Sequence, residues 1–417
     1  MPKAKVCMLT SNHSALDDRI FYKECRSLQQ AGYEVSLIAP LNNEGFLVDM
    51  GSNRIGKGEI TLDDIKIIGF SRTNRGMAKI SSGLELMKLV GVGKPKIGPE
   101  PLADLVNKGI NVNADIYHCH EIGSLYAGIQ IKKSFKKQDK RTKLIYDVHE
   151  FHPAACSNAR NPLLSGLLRK IIIHFEKEAL KYVDYIIAAN QITRGYLLTL
   201  NRFTQTEVLY NCPVLSLFQE YKGNENHKNK VTICHEGSLG FNRGLRQMIE
   251  VMRILKGHYG NKVELLIVGD VYGEERRYLD EKLEEYDLYD TIRCTGWLPY
   301  KEVGKAISQC SIGIIFMEYT ENNMLAGPPN KLFNYMRYSL SVVSVDLPET
   351  NRIISETQCG LTVSNRNIKN LVRVLSILIE DESKRRRMGM NAKKAVYNKY
   401  SWEQMEKKLL RVYEELG

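Results

Sequence analysis

Short apolar segments alternate with helical patterns along most of this chain. Residues 6–9 form an apolar run, Phe21, Cys25 and Leu28 then recur at helical spacing, and residues 35–39 form a second run. Strands that alternate with helices pair in parallel, and the helices cover both faces of the sheet. The sequence therefore predicts an α/β fold built on Rossmann-like parallel sheets.

The alternation occurs twice, once on each side of a polar stretch. The chain has 417 residues, and a single core stops growing at roughly 250–300 residues, so we expect two domains that face a cleft. The expected bounds are 1–215 for the N-terminal domain, 216–230 for the hinge, 231–398 for the C-terminal domain and 399–417 for a terminal helix. Ser401 and Gln404 have the spacing of a capping box at the start of that helix.

The apolar runs also give the strand positions. Strands are predicted at 6–9, 35–39, 115–119, 143–148, 185–189 and 208–210, and again at 231–235, 263–268, 291–294, 312–316, 342–345 and 361–363. Residues 51–98 contain many glycines and no sustained period. This stretch is either a flexible insertion that binds an acceptor or a long crossover connection that carries extra residues.

Composition narrows the function classes. No apolar stretch reaches the roughly 20 residues of a membrane-spanning helix, and the first residues lack a signal-peptide pattern, so we expect a cytoplasmic protein. The nine cysteines are spread singly, which is typical of reduced core residues. The net charge of +11 calls for an anionic partner. The basic cluster at residues 132–143 is either a solvated helix end or a docking patch.

Polar residues follow several predicted strands of the first half. Parallel sheets bind ligands beyond the carboxyl ends of their strands, which makes these residues candidates for a cleft. They are His13, Asp18, Arg19, His118, His120, His149 and Glu150. A strand directs His118 and His120 to the same side. Two histidines at this spacing are structural or catalytic, and a metal site would need a third ligand, so no metal is predicted.

The second half offers candidate anion-binding segments. HEGSLGFNRGL follows a strand and opens a helix, so the helix amino terminus and Arg243 would favour phosphate, with Gly237 allowing close approach. The alternative is a loop glycine with a surface arginine. Gly269 and Asp270 follow the next strand. A later helix begins with Pro329, Asn330, Lys331, Leu332 and Asn334, and its amino terminus also favours an anion.

These segments, in this order, resemble the bacterial glycosyltransferase family 4 across nearly the whole chain. The first half carries DDRIFYKECRSLQQAGYEVSLIAP, YHCHE and FEKEALKYVDYIIAANQ, and the second carries YNCP, GSLGFNRGL, LLIVGD, TGWLPYKEV, PNKLFNYMRYSLSVVSVDLPE and YSW. Each motif alone is weak, whereas the ordered set is specific. The resemblance implies the GT-B fold, with an acceptor-binding first domain, a donor-binding second domain and a terminal helix that crosses back to the first domain.

The resemblance further implies a retaining, metal-independent hexosyltransferase without a cofactor, which uses a UDP- or GDP-linked sugar in the synthesis of a cell-surface polysaccharide or lipid-linked glycan. Arg243 matches the basic residue on the diphosphate, and His120 matches the histidine near the transferred sugar, with His118 beside it. Lys331 is the second expected cation. The donor-binding set is then Gly237, Ser238, Arg243, Gly269, Asp270, Pro329, Asn330, Lys331, Leu332 and Asn334. The leaving phosphate is expected to take the acceptor proton.

Two motifs depart from the family pattern. Ser238 stands where relatives commonly place a second arginine beside the diphosphate. Asn334 stands where a glutamate binds the ribose hydroxyls, and Ala326 replaces the glutamate eight residues earlier. An amide accepts hydrogen bonds less strongly than a carboxylate. Glu318 and Glu321 are the candidate substitutes.

Other functions stay open at this stage. Ser238 and Asn334 also fit a degenerate, non-catalytic scaffold, and Asp147 and Glu150 would serve a nucleotide-sugar epimerase of the same fold. The basic residues lack interleaved aromatic side chains, which argues against nucleic acid. Residues 161–175 mix apolar and basic side chains, so they form either a packed helix or a peripheral contact with an anionic membrane.

Overall fold

The structure is a computed structural model that describes residues 3–72, 102–154, 162–216, 230–364 and 367–417. The chain forms two compact units. The N-terminal unit comprises Met1–Asn211 together with Met405–Gly417, and the C-terminal unit comprises Cys212–Gln404. Most of the predicted hinge lies outside the described residues.

The N-terminal unit is built on an eight-stranded sheet with the order β10-β9-β8-β7-β1-β2-β6-β5. All neighbours are parallel except β5 and β6, and β3 and β4 form a separate antiparallel pair. The strands are β1 (Lys5–Leu9), β2 (Glu34–Pro40), β3 (Phe46–Val48), β4 (Arg54–Lys57), β5 (Glu59–Leu62), β6 (Ile65–Phe70), β7 (Ile116–Cys119), β8 (Lys143–Val148), β9 (Tyr185–Ala188) and β10 (Gln205–Val208).

Helices cover this sheet, as a parallel sheet requires. The C-terminal helix packs an apolar stripe of Met405, Leu409, Val412 and Tyr413, all at most 1% exposed, and this spacing is typical of one buried helix face. The helical segments are Ile20–Cys25, which is π-helical, and Arg26–Gln30, Ala103–Val112, Ile122–Lys136, Pro162–Ala179, Gln191–Leu200 and Trp402–Leu416.

Sequence reasoning missed regular structure in the glycine-containing stretch. Residues 51–72 of that stretch form β4, β5 and β6, and β6 pairs in parallel with β2 within the main sheet. The pattern IKIIGF, with Ile65, Ile67 and Phe70 fully buried, is the signal that was available. Residues 73–101 lie outside the described part of the chain, so the predicted insertion or crossover is not decided there.

The C-terminal unit contains a six-stranded, fully parallel sheet with the order β13-β12-β11-β14-β15-β16. Its strands are β11 (Val231–Glu236), β12 (Val263–Val268), β13 (Ile292–Cys294), β14 (Ile312–Ile315), β15 (Ser341–Val345) and β16 (Gly360–Val363). Its helices are Leu245–Tyr259, Gly273–Glu285, Tyr300–Ser308, Glu321–Leu325, Asn330–Arg337, Pro348–Thr357, Ile368–Glu380 and Glu382–Asn398. Each predicted strand of this half matches within a residue or two.

Two local predictions were wrong. The last strand of the first half lies at Gln205–Val208 and not at 208–210, because Leu209 and Tyr210 are buried beyond the end of the ladder. The capping box does not form. Ser401 Oγ is buried without a hydrogen-bond partner among the described residues, and Gln404 Nε2 donates to the carbonyl of Tyr397 at 3.2 Å.

Two absences concern only the described residues. No helix in the described ranges has the length and apolar character that a bilayer crossing requires. Eight cysteines fall within the same ranges, all of them free thiols, and Cys156 lies outside.

Candidate functional site

Each of the two large sheets reverses its strand order at one place. In the N-terminal unit, β2 and β6 lie on one side of β1, whereas β7 lies on the other side. In the C-terminal unit, β12 and β14 flank β11 in the same way. Doubly wound sheets bind ligands beyond the carboxyl ends of their strands at such a reversal. The candidate residues are therefore those that follow β1, β7 and β11.

Arg19 lies at the centre of a buried charged cluster in the N-terminal unit. Its guanidinium donates to Glu24 Oε1, to both carboxylate oxygens of Asp147 and to the carbonyl of Leu209, each at 2.9 Å. Arg19 is 5% exposed, and both acids are fully buried. A buried ion pair is tolerated only when each charge is compensated. Arg19 thus connects the segment after β1 with the ends of β8 and β10.

Three histidines pack against the same carboxylates. The rings of His118 and His120 stack with their centroids 4.5 Å apart. His118 Nε2, His120 Nδ1 and His149 Nε2 lie 3.7, 3.6 and 3.1 Å from Asp147 Oδ2. Tyr413, on the C-terminal helix, shares a hydrogen bond of 2.8 Å between its Oη and His118 Nδ1. We call these residues, with Arg19 and Glu24, the histidine cluster.

Burial sets the protonation of the histidine cluster. It lowers the pKa of all three imidazoles, most strongly for His120, where neighbouring His118 adds to the effect. Burial also raises the pKa of Glu24, and the charge of Asp147 raises it further. Burial alone would raise the pKa of Asp147 as well, but Arg19 and the histidines lower it well below its usual range. The imidazoles are therefore neutral at pH 7, beside an Arg19–Asp147 ion pair.

Part of this cluster has the chemistry of a metal site. Glu24, His120, Asp147 and His149 each offer one ligand atom, and the four atoms lie within 4.8 Å of one another. However, Arg19 already donates two hydrogen bonds to Asp147, and its positive charge opposes a divalent ion at the same carboxylate. The metal-free site stays a prediction.

The remaining candidates of the first half lie in different environments. The ring of His13 lies 5.1 Å from that of His149, between centroids. Asp18 accepts a hydrogen bond of 2.6 Å from Lys23 Nζ, and its side chain is about half exposed. Glu150 is exposed. The structure thus brings Arg19 together with the histidines at positions 118, 120 and 149, and leaves Asp18 outside.

Two glycine backbones meet in the C-terminal unit at the ends of β11 and β12. Gly237 has φ +88°, and Gly269 has φ +153°. A Cβ atom on Gly269 would lie 2.4 Å from the carbonyl oxygen of Gly237. A side chain at position 269 is therefore excluded, because the two strand ends meet through their backbones at this point.

Arg243 is held against the loop that follows β11. It ends a short 3-10 turn, Phe241–Arg243, and its Nη1 donates to both the carbonyl and the Oγ of Ser238 at 2.8 Å. Ser238 is exposed and acts as an acceptor for the one arginine of this loop. A Cβ on Gly237 would lie 3.8 Å from the same guanidinium. The cation thus lies beside the glycine backbone.

The helix Asn330–Arg337 brings three polar side chains to the end of β11. Lys331 Nζ lies 3.3 Å from His235 Nε2. Asn334 Nδ2 donates to Glu236 Oε1 at 2.6 Å, and the backbone N–H of Glu236 donates to the hydroxyl of Tyr335 at 2.8 Å. We call these five residues the β11 cluster.

Burial also shifts the pKa values of the titratable groups in the β11 cluster. It lowers the pKa of Lys331 to about 8, with Arg243 adding to the effect and Glu236 opposing it. Burial, together with the charge of Lys331, lowers the pKa of His235 well below its usual value. Burial raises the pKa of Glu236, although Asn334 and Lys331 oppose this. A cation whose pKa lies near neutrality is typical of a functional site.

The other predicted donor residues occupy mixed environments. Asp270 is half-buried, and its carbonyl accepts from Leu239 N at 3.0 Å. Pro329 directly precedes the helix, and Asn330 is exposed at its first turn. Leu332 is fully buried, so its side chain belongs to the core of the unit.

Three kinds of comparison relate this chain to known proteins. Residues 218–395 match the family model described as glycosyl transferases group 1. An uncharacterized glycosyltransferase of Methanocaldococcus jannaschii is 22% identical over 306 residues, which cover 71% of this chain and 72% of that protein. The alpha-D-kanosaminyltransferase of Streptomyces kanamyceticus is 22% identical over 185 residues, 44% of this chain and 46% of that protein.

Solved structures agree in fold. Sucrose-phosphate synthase from Thermosynechococcus elongatus has a TM-score of 0.69 at 14% identity, over 99% of both chains. HepE from Anabaena in complex with UDP has a TM-score of 0.67 at 12% identity, over 99% of this chain and 100% of that one. The predicted fold class, two Rossmann-like α/β domains of the GT-B type, is confirmed.

Proposed function

We propose that this chain, a GT-B glycosyltransferase with a glycosyl transferases group 1 domain at residues 218–395, transfers a hexose from a nucleoside diphosphate sugar to an acceptor hydroxyl with retention of configuration. One observation carries the proposal. Arg243 and Lys331, the latter with its pKa lowered to about 8, both lie by the end of β11 at the strand-order reversal of the C-terminal sheet, where Arg243 is next to Gly237.

The chemistry of the leaving group fits these residues. Departure of a nucleoside diphosphate develops negative charge on the phosphate oxygens, and preorganised cations and N–H groups stabilise that charge. Arg243, Lys331 and the first turn of the helix Asn330–Arg337 supply both kinds of group. The departing phosphate oxygen would take the proton of the acceptor hydroxyl. No step in this scheme calls for a metal ion.

We infer the nucleobase of the donor from the similar structures alone. HepE from Anabaena was solved in complex with UDP and with UDP-glucose, and a trehalose-6-phosphate protein from E. coli, with a TM-score of 0.63, was solved with UDP-2-fluoro glucose. These ligands support a UDP-linked donor for this chain, with a GDP-linked donor as the other expectation.

The first experiment is a nucleotide screen. Thermal-shift assays and calorimetry would compare UDP, GDP, ADP and TDP, with their sugar conjugates, on the wild type and on Arg243→Ala. A ligand at 100 times its Kd stabilises by about 2.7 kcal/mol, which corresponds to roughly 5–10 °C for a unit of this size. We expect one nucleotide to produce this shift, and the variant to lose it.

Arg253→Ala is the matched control. Arg253 lies in the same unit, and its Nε donates to Glu250 at 3.0 Å on an exposed helix surface. This variant should retain the shift. Binding of no nucleotide would overturn the transferase proposal and favour a non-catalytic scaffold. Conversion of the bound donor to an isomer without any acceptor would favour an epimerase.

Stereochemistry and metal use are tested separately. Proton NMR of the sugar released by slow donor hydrolysis should first show the anomer that the donor carried, and EDTA should leave the rate unchanged. The opposite anomer as first product, or loss of turnover with EDTA and its recovery with a divalent ion, would contradict these two parts of the proposal.

The acceptor side concerns a membrane surface. Leu163 and Leu167 lie one turn apart on the helix Pro162–Ala179 and are 85% and 51% exposed, with Lys170 exposed on the same helix. An exposed apolar and basic helix is typical of peripheral membrane contact, which fits an acceptor in cell-surface polysaccharide or lipid-linked glycan synthesis. Vesicles with phosphatidylglycerol should sediment the protein, and Leu167→Glu should reduce this. Equal sedimentation with phosphatidylcholine alone would contradict an anionic partner.

Two lysines of the basic cluster at residues 132–143 are bonded within the protein and are not available to a membrane surface. Lys132 bonds to Asp184, and Lys140 bonds to the carbonyl of Asn113 at 2.9 Å. Both side chains thereby stabilise the fold of the N-terminal unit. Lys133, Lys136, Lys137, Arg141 and Lys143 are exposed.

A further inference from the structure

The resemblance implies a ribose-binding carboxylate at position 334, where this chain has Asn334, and a different carboxylate lies next to that amide. Asn334 lies on the helix Asn330–Arg337, and its Nδ2 donates to Glu236 Oε1 at 2.6 Å. Glu236 is the last residue of β11, the strand at the reversal of the sheet. Glu318, one of the two expected substitutes, has a different side-chain hydrogen bond. Glu318 Oε1 instead accepts from Gln247 at 3.1 Å.

We infer that Glu236 binds a ribose hydroxyl of the nucleotide donor, with the neighbouring Asn334 amide oxygen accepting from the second hydroxyl. The inference rests on the proposed function and names the residue that replaces the missing glutamate. A vicinal diol offers two O–H donors, and the pair offers two acceptors, Glu236 Oε2 and Asn334 Oδ1, because Asn334 Nδ2 is already committed to Glu236 Oε1.

The free oxygen of Glu236 is the first supporting observation. Oε2 is buried and has no hydrogen-bond partner among the described residues. A buried carboxylate oxygen without a donor costs free energy, and native structures rarely leave one without a functional reason. A hydroxyl donor from a ligand would satisfy it.

Orientation is the second supporting observation. The backbone of Glu236 is fixed by the hydrogen bond of its N–H to Tyr335 Oη, and that hydroxyl lies 3.3 Å from the carbonyl of Ile314 on β14. The side chain is fixed by Asn334. A residue held at both ends is preorganised, so little conformational entropy is lost when a ligand binds.

Charge is the third supporting observation. Lys331 is three residues before Asn334 on the same helix, and the charges of Lys331 and Glu236 stabilise each other. A carboxylate for the sugar hydroxyls and an ammonium for the phosphates thus occur side by side. A nucleoside diphosphate likewise carries hydroxyls and phosphates close to one another.

The test uses the loss of one ribose hydroxyl. Calorimetry would measure the affinities of UDP, GDP and ADP and of their 2′-deoxy counterparts, on the full-length wild type and on Glu236→Gln. A hydrogen bond to a charged acceptor corresponds to about tenfold to hundredfold in affinity. The wild type should prefer the ribonucleotide by about that factor, and Glu236→Gln should lose most of the preference. A purely structural role would weaken both nucleotides equally.

A reciprocal exchange provides the rescue. Asn334→Glu alone places two carboxylates side by side and should weaken binding, because like charges at this distance repel. The double variant Glu236→Gln with Asn334→Glu returns one carboxylate to the pair and should restore the ribonucleotide preference. A double variant that is no better than either single variant would overturn the inference.

Glu264→Gln serves as the matched control. Glu264 is a buried glutamate of β12, near the opposite end of the same sheet, where it accepts from Thr232 at 2.8 Å. Its replacement should leave the discrimination unchanged. Nucleotide binding without ribose discrimination, or with preference for TDP, overturns the inference and leaves the transferase proposal intact. Absence of all nucleotide binding overturns both.

Discussion

Replacement of Arg19 by methionine tests whether the histidine cluster depends on its single buried cation. The guanidinium makes four hydrogen bonds at 2.9 Å, three of them to the carboxylates of Glu24 and Asp147. Removal of one partner from a buried ion pair costs about 3–5 kcal/mol, because the remaining charge is uncompensated. At roughly 2–4 °C per kcal/mol for a unit of this size, the melting temperature of the N-terminal unit should fall by about 6–20 °C.

The pH dependence of this loss follows from the same charges. Without Arg19, the folded-state pKa of the two carboxylates would lie above the unfolded value. Groups of that kind favour the folded state below the unfolded pKa and lose this contribution as pH rises through the folded pKa. The deficit of Arg19→Met relative to the wild type should therefore be smaller at pH 5 than at pH 8.

Calorimetry, tryptophan fluorescence and a control variant make the assay specific. Trp297 lies in the C-terminal unit, whereas Trp402 begins the helix that continues into the N-terminal unit. Fluorescence therefore follows the C-terminal unit and the start of that helix, whereas calorimetry reports the unfolding of both units. Arg26→Met is the control, since Arg26 pairs with Asp63 where both side chains are at least a third exposed, and exposed pairs contribute at most about 1 kcal/mol. An Arg19→Met shift no larger than that of Arg26→Met, or a deficit that grows towards pH 5, would refute the reasoning.

Four further substitutions have defined outcomes. Gly269→Ala should destabilise the C-terminal unit by about 1–3 kcal/mol in thermal melts, because its φ is +153° and its Cβ would meet a backbone oxygen. Gly257→Ala, within a helix and with nothing within 4 Å, should instead stabilise it. Tyr413→Phe removes the hydrogen-bond partner of buried His118 and should cost about 1–3 kcal/mol by the same assay. Nucleotide affinity, measured by calorimetry, should fall from pH 7 to pH 9.5, because Lys331, with its pKa lowered to about 8, loses its charge. Lys331→Arg should make the affinity nearly independent of pH over this range. A wild-type affinity that does not change with pH would contradict the role of Lys331.

The fold was largely predictable because the strands of a parallel sheet are buried on both faces and therefore appear as continuous apolar runs. Residues 263–268 are apolar except for Glu264 and are buried at every position, which is how a strand covered on both faces appears in sequence. The edge of the N-terminal sheet was missed because its strands mix buried and exposed side chains. β5 has three exposed positions out of four, so it carries no continuous apolar run.

The candidate site was predictable only where one strand end carries several polar residues. His118 and His120 share β7 and its end, so their proximity follows from period 2. Glu24 and Tyr413 could not be found in this way, because each lies on a helical segment and not at a strand end, and only the tertiary fold brings them to His118.

Glu236 shows the same limit more sharply. In sequence it is the acid of HEG, one residue before the glycine that the anion-site interpretation emphasised, and no spacing rule connects it to Asn334, 98 positions later. The connection exists because β11 and β14 are neighbours and the helix Asn330–Arg337 follows β14. Position 334 read alone therefore indicates a lost function, whereas positions 236 and 334 read together indicate a carboxylate that has moved from the helix to the strand.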